Sequence, residues 1–172
     1  MFELQYTNED DRAFGLAGMA ISLASLDALD MITDLFLDAE GPMVTFSNSF
    51  YGVTSPALSP KAVWNNMLNN FHLTTSLVMA NVMARSLVRL GEEPGEKVID
   101  EIRGLVREEG SESCSLDSEE ADILFNRVMR QSKQLFLNPR LHPAIKELAG
   151  VLTRRRRLSA IDLAEELDLL RL

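Results

Sequence analysis

Cysteine is nearly missing from this chain of 172 residues: Cys114 stands alone. No internal disulfide can form, and with eight methionines the composition suits a reducing cytoplasm. Histidine is scarce too, with only His72 and His142. One cysteine and two histidines cannot furnish a tetrahedral zinc site. A di-iron site in a helical bundle needs Glu-x-x-His pairs, but Asn69 and Pro139 stand three residues before the two histidines. No metal or cofactor is expected. The glycine patterns that cradle phosphates (GxxxxGKS/T, GxGxxG) and the GxSxG nucleophile elbow are absent. Cys114 lies close to Glu112 and Asp117, and nearby acids raise a thiol's pKa, so it is a poor nucleophile. No catalytic set assembles.

Basic charge is in deficit. The formal net charge is −9 and the pI ≈ 4.7, which argues against a general affinity for nucleic acid. Long hydrophobic runs are lacking as well. The best, Ala13–Leu26, has 14 residues and is closed by Asp27 and Asp30, short of the ~20 a membrane span needs. The first residues, MFELQYTNEDDR, are acidic and carry no basic stretch ahead of an apolar one. The expectation is a soluble cytoplasmic protein with no membrane association.

What is present is the composition of a globular protein, 46% hydrophobic and 25% charged, at a length that suits one domain. Charge comes in blocks. Residues 1–40 carry one basic and nine acidic side chains, 91–125 three and twelve, 126–158 nine and one. Residues 41–90 carry three basic and no acidic ones. Blocks of opposite sign are expected to face each other in the folded chain.

The periodicity predicts an all-α fold, a bundle of about six helices with two long antiparallel ones and shorter C-terminal ones. Asn8 followed by Glu9, Asp10 and Asp11 starts a first helix, with apolar residues at spacings of three and four through Leu16, Leu23, Leu29, Ile32 and Phe36 to about Ala39. Glu40, Gly41 and Pro42 are read as its stop. Gly15 and Gly18 in it let another helix come close. The uncharged segment 41–58 is an ordered loop or a small hairpin, with strands Val44–Phe46 and Phe50–Val53. Ser59-Pro60 caps a second long helix, to Leu90 and Gly91. It is so poor in charge that it must be covered by protein, within the bundle or at a subunit interface; its core stripe includes Trp64, Phe71, Val78 and Met79. A third helix runs from Pro94 to about Glu109, and a fourth from Asp117 or Ser118 to about Leu137, with Ile123 on its apolar face. A fifth runs from Pro143 to about Arg156. Ser159 caps a sixth, with Asp162 as its capping-box partner and Ile161, Leu163, Ala164 and Leu167 packing inward. Residues 138–172 read as a C-terminal helical hairpin appended to the single domain.

Three candidate functional features stand out. Asn65, Asn69, His72 and Ser76 form one stripe ~40° wide on the second helix. With Phe46, Phe50 and Tyr51 it could line a pocket with His72 as acid or base, or it could bond across a helix contact. Arg127, Arg130, Lys133 and the run Arg154, Arg155, Arg156 and Arg157 form a basic block within residues 126–158. It has no interleaved aromatics for base stacking. LSAIDLAEELDLL resembles the first helix of a helix-turn-helix, but no recognition helix follows it by Leu172. The four arginines close a helix end, and the acids after them, Asp162 to Asp168, neutralise them. The first reading is a non-catalytic helical protein acting through protein–protein contacts and self-association, as a dimer. The alternative is a small-molecule-binding or enzymatic bundle around His72. The third is a nucleic-acid accessory protein using the basic block.

Overall fold

A computed structural model describes residues 5–38, 43–52 and 59–170. Among these, helix makes up 72% and a three-stranded sheet completes a mostly all-α bundle. The elements, in order, are α1 (Glu9–Ser25), β1 (Ile32–Phe36), β2 (Val44–Phe46), α2 (Pro60–Met83), α3 (Glu96–Cys114), α4 (Ser118–Phe136), α5 (His142–Arg155), β3 (Arg157–Ser159) and α6 (Ala160–Leu169). A 3-10 turn (Leu29–Met31) leads into β1, and α2 continues as a π-helical segment (Ala84–Leu90).

Helix starts follow their caps. The Asn8 side chain accepts from the Asp11 N–H at 2.8 Å, and Ser59 accepts from that of Ala62 at 3.2 Å. Asp117 with Glu120 and Ser159 with Asp162 form full capping boxes.

Helix ends depart from expectation. α1 stops at Ser25, fourteen residues before Ala39, and the chain turns into a strand. Asp27 adopts a left-handed conformation (φ 52), while Ala28 N–H bonds Leu23 O at 2.8 Å and Asp27 N–H bonds Ala24 O at 3.1 Å. This is the Schellman closure, made by an aspartate where glycine is usual. The expected stop at Glu40–Pro42 falls on residues 39–42, outside the described residues. α3 likewise passes through Gly110 to Cys114 and ends on left-handed Ser115. Gly110 instead leaves room for a neighbour: a Cβ there would sit 3.2 Å from the Phe71 ring.

The sheet order is β2-β1-β3, antiparallel throughout. β1 is central, with Leu35 opposite Val44 on one side and Leu158 on the other. The expected partner of β2 was the segment beginning at Phe50. That segment is a turn through Gly52, with Val53 outside the described residues, and β1 takes its place.

α1 lies at the centre of the bundle, packed on α2 and α5, while α3 and α4 cover α2. The α1–α2 crossing is antiparallel, since residues 11, 15 and 18 meet 85, 81 and 80 in turn. It is close because Gly18 has no side chain: a Cβ there would lie 2.6 Å from the Ala80 carbonyl oxygen and 2.4 Å from the Ala84 Cβ. α5 packs on α1 and α6 on β1 and β3, and Ile145, Leu148, Leu152, Leu158 and Leu163 join the same core as Leu16, Leu77 and Phe125. Four residues expected inside lie outside or largely so: Trp64, Val78, Ile123 and Ile161. Ala164 is exposed as well, and the α4 core is built by Phe125, Val128 and Phe136.

Two glycine substitutions separate crowding from helix propensity. Gly18→Val is expected to lower stability by about 2 kcal/mol or more, because the added atoms meet backbone. Gly104→Ala, in α3 with nothing within 4 Å of an added Cβ, is expected to raise it by about 0.5–1 kcal/mol. Urea unfolding of both variants checks the contrast.

Candidate functional site

The first half of α2 projects beyond its neighbours. Val63, Trp64 and Met67 are 44%, 48% and 41% exposed, and Tyr51, on the turn that bonds to Asn70 through Phe50, is 63% exposed. From Phe71 onward the same helix is mostly buried. Two nitrogen donors and the Cys114 thiol, which donates to the Met67 carbonyl at 3.8 Å, hold the projecting half. Trp64 donates its indole N–H to the Cys114 carbonyl at 3.4 Å, and Asn70 Nδ2 donates to the Phe50 carbonyl at 2.6 Å. The second bond anchors an aromatic run: Phe46 and Phe50 stack with centroids 4.0 Å apart, and Tyr51 meets Phe50 edge-on at 5.2 Å. A depression of about 250 Å³ lies between Phe50, Met67, Phe71 and Cys114. Cys114 is buried there, and burial pushes its thiol up, which leaves it protonated and unreactive.

The two parts of the expected His72 pocket are not brought together. At ~100° per residue, Asn65, Asn69, His72 and Ser76 point one way, and Met67, Asn70 and Thr74 point nearly the opposite way. Phe50 docks on the Met67–Asn70 side. Asn65 and Asn69 are exposed, His72 is half-buried and Ser76 is buried, its hydroxyl donating to the His72 carbonyl at 2.8 Å. Burial first, and the Arg127 cation second, hold the His72 pKa below its usual 6.5.

The basic block divides. Arg127 and Arg130 are exposed on α4 and form no ion pair with a described residue, whereas Lys133 bonds Glu93 at 2.7 Å. The arginine run is spent on the fold. Arg154 reaches back to Glu147 at 3.6 Å, and Arg155 forward to Asp162 and Glu166, both at 3.5 Å. Arg156 is left-handed (φ 66) and grips Asp38 and, at 2.7 Å, Glu9. Its hydrogen bonds to Asp38 and then Glu9 raise the guanidinium's pKa, and the same bonds lower those of both acids. Arg157 bonds Asp34 at 2.8 Å and covers the Phe36 ring. The acids after the run thus engage Arg155, while the first acidic block engages Arg156 and Arg157.

Sequence reasoning missed the polar centre of the α1–α2 contact. Asp11 and Arg85 are buried and paired twice, Nε to Oδ1 at 2.9 Å and Nη2 to Oδ2 at 2.7 Å. Burial alone would raise the Asp11 pKa, but Arg85 and the Thr7 N–H bring it below the usual range. Tyr6 stacks under Arg85, accepts from Asn81 Nδ2 at 2.7 Å, and has its pKa raised by burial. The signal was available: Arg85 is the first charge after Lys61 in a helix otherwise free of it, and such a charge demands a partner.

Among the described residues no group of His, Cys, Asp or Glu could hold a metal ion, and no helix is long and apolar enough to cross a membrane. No protein-family model matches this chain, and no curated protein matches it in sequence.

The lowered His72 pKa fixes the sign of a pH effect. The folded state favours the neutral ring, so its contribution is whole above about pH 6.5 and is lost as pH falls through the lower folded value. Asp11, Glu9, Asp38 and Asp162 are lowered and titrate in a more acidic range. The urea midpoint is therefore expected to drop between about pH 7.5 and 5.5, and to drop less in His72→Gln.

Proposed function

We propose that this protein is non-catalytic and acts through protein–protein contacts, pairing with a second copy of itself through the projecting half of α2. The observation that supports this is the exposed group of Val63, Trp64 and Met67 on a half-helix whose only charge is Lys61, with Tyr51 exposed on the turn that docks against it. Tryptophan, tyrosine and methionine are the side chains enriched in interface centres, and Trp64 is rigidly held by its bond to Cys114.

Charge favours self-pairing at this face. Two copies of a −9 chain repel each other over most of their surface. Residues 41–84 carry only Lys61, and Glu109 of α3 lines the depression beside Met67, so this face is poor in charge and like molecules meet there at low electrostatic cost. A two-fold axis across the helix would oppose each Trp64 to the partner's apolar face, the self-complementary arrangement of a cyclic dimer. The His72-centred pocket receives less support, because its aromatic and polar halves lie on opposite sides of α2.

Sedimentation equilibrium at micromolar concentration is expected to give a dimer. Trp64→Glu with Met67→Glu is expected to weaken it roughly 100-fold or more while leaving the helical circular dichroism unchanged, the size of two lost interface anchors. A wild-type chain that stays strictly monomeric at micromolar concentration removes this reading.

A further inference from the structure

A second concavity has different chemistry. Where the end of α1, the middle of α2 and the second half of α4 meet, a cleft of about 420 Å³ opens. Its floor is three buried serines, one from each helix: Ser22, Ser76 and Ser132. Its rim carries the carboxamides of Gln131, Gln134 and Asn138. Apolar side chains ordinarily seal such a three-helix junction, and hydroxyls there cost desolvation unless they find partners.

Two of the three floor hydroxyls are without a partner among the described residues. Ser76 donates to the His72 carbonyl. The hydroxyls of Ser22 and Ser132 form no hydrogen bond with a described residue. Neither is among the sealed, unpartnered side-chain atoms of the described residues, where only Glu101 Oε2 appears. Their oxygens therefore open onto the cleft, each able to donate once and accept twice.

Among the described residues no Asp, Glu, Lys, Arg or His lines the cleft, in a chain one quarter charged. An anion would find no cation in the lining and a cation no carboxylate. The volume lies within the ~300–1,000 Å³ of small-molecule sites. Carboxamides set a donor and an acceptor side by side, which matches the neighbouring hydroxyls of a vicinal diol. Leu26 and Leu135 supply apolar contact for the C–H face of a ring.

We propose that this cleft binds a small, neutral polyhydroxyl compound of monosaccharide or cyclic-polyol size, held by the Ser22, Ser76 and Ser132 hydroxyls and the rim carboxamides. The site is independent of the self-association reading: α2 contributes only Ser76, twelve residues and ~18 Å along the helix from Trp64.

Amide NMR of the isotope-labelled full chain tests the assignment, with glucose and myo-inositol as probes and with glucuronate and glucosamine as ring-matched charged controls. The neutral probes are expected to give saturable shifts at the amides of Ser22, Ser76, Gln131 and Ser132. Each charged ring is expected to bind roughly tenfold more weakly or worse, as is glucose to a Gln131→Leu, Gln134→Leu variant. Both glutamines are exposed, so that variant keeps its fold; Ser132→Val probes the floor and is read only if its amide dispersion is native. Absence of saturable shifts with both neutral probes, equal binding of the charged rings, or unchanged affinity in the rim variant overturns the proposal.

Discussion

The buried pair of Asp11 and Arg85 is the constraint on which the remaining structure rests. Neither charge can stay in the interior without the other, because removing one partner of such a pair strands its mate at a cost of about 3–5 kcal/mol. The pair therefore admits one register between α1 and α2. Gly18 then brings the helices into contact, with Asn81 against Gly15 and Ala84 against Gly18. With α1 fixed, the Schellman turn at Asp27 sends the chain into β1, and the approach of Ser22 to Ser76 follows from the same register. The π-helical segment begins at Ala84 and carries Arg85 and Arg89, which both reach Asp11. Such segments recur where a side chain must be re-aimed.

The alternating charge blocks resolve as complements. Asp10 and Asp11 meet Arg89 and Arg85, Glu9, Asp34 and Asp38 meet Arg156 and Arg157, and Glu93 meets Lys133. Most of these pairs are exposed and individually contribute little. Their collective effect is on specificity: the acidic start of the chain has its counter-charges near the other end, so the arginine run reads as a fastening rather than a grip on an outside polyanion.

The helical architecture was legible because its signals are local. Asn8, Ser59, Asp117 and Ser159 all cap where their side chains and successors suggest, and Gly91 stops the π-helical segment in the left-handed conformation expected of it. Of the sheet only the strand Val44–Phe46 was legible, and its partner was not. Ile32, Leu35 and Phe36 fit a helical spacing as well as a short strand, and five residues are too few for periodicity to arbitrate. The stop before them is written in Asp27, a residue that adopts the left-handed conformation only because the closing bonds to Leu23 and Ala24 hold it. Burial on α2 was misjudged for another reason. Its amino-acid pattern is apolar along its whole length, but only the half beyond Phe71 has helices to cover it. Of the candidate site residues, Phe46, Phe50 and Tyr51 do come together as one aromatic run, and the polar stripe does lie on one helical face. Their placement on opposite sides of α2 is decided by the Asn70–Phe50 bond, a tertiary contact with no trace in residue spacing.

The three-stranded sheet has a consequence for how the chain assembles. β1 and β3 lie far apart in sequence, with Asp34 and Arg157 separated by 123 positions and Glu9 and Arg156 by 147. The packing of α5 on α1 joins elements almost as widely separated, whereas the contacts of α1 with α2 and of α3 with α4 are between neighbours along the chain. Closing a loop of that length costs entropy before the strand pair returns any energy. The pairing that unites the sheet and the docking of α5 on α1 are thus the non-local steps of the topology, the ones expected to be slow. During synthesis Glu9, Asp34 and Asp38 therefore stay without these partners until the chain has grown through Arg156 and Arg157, and the sheet cannot close before then.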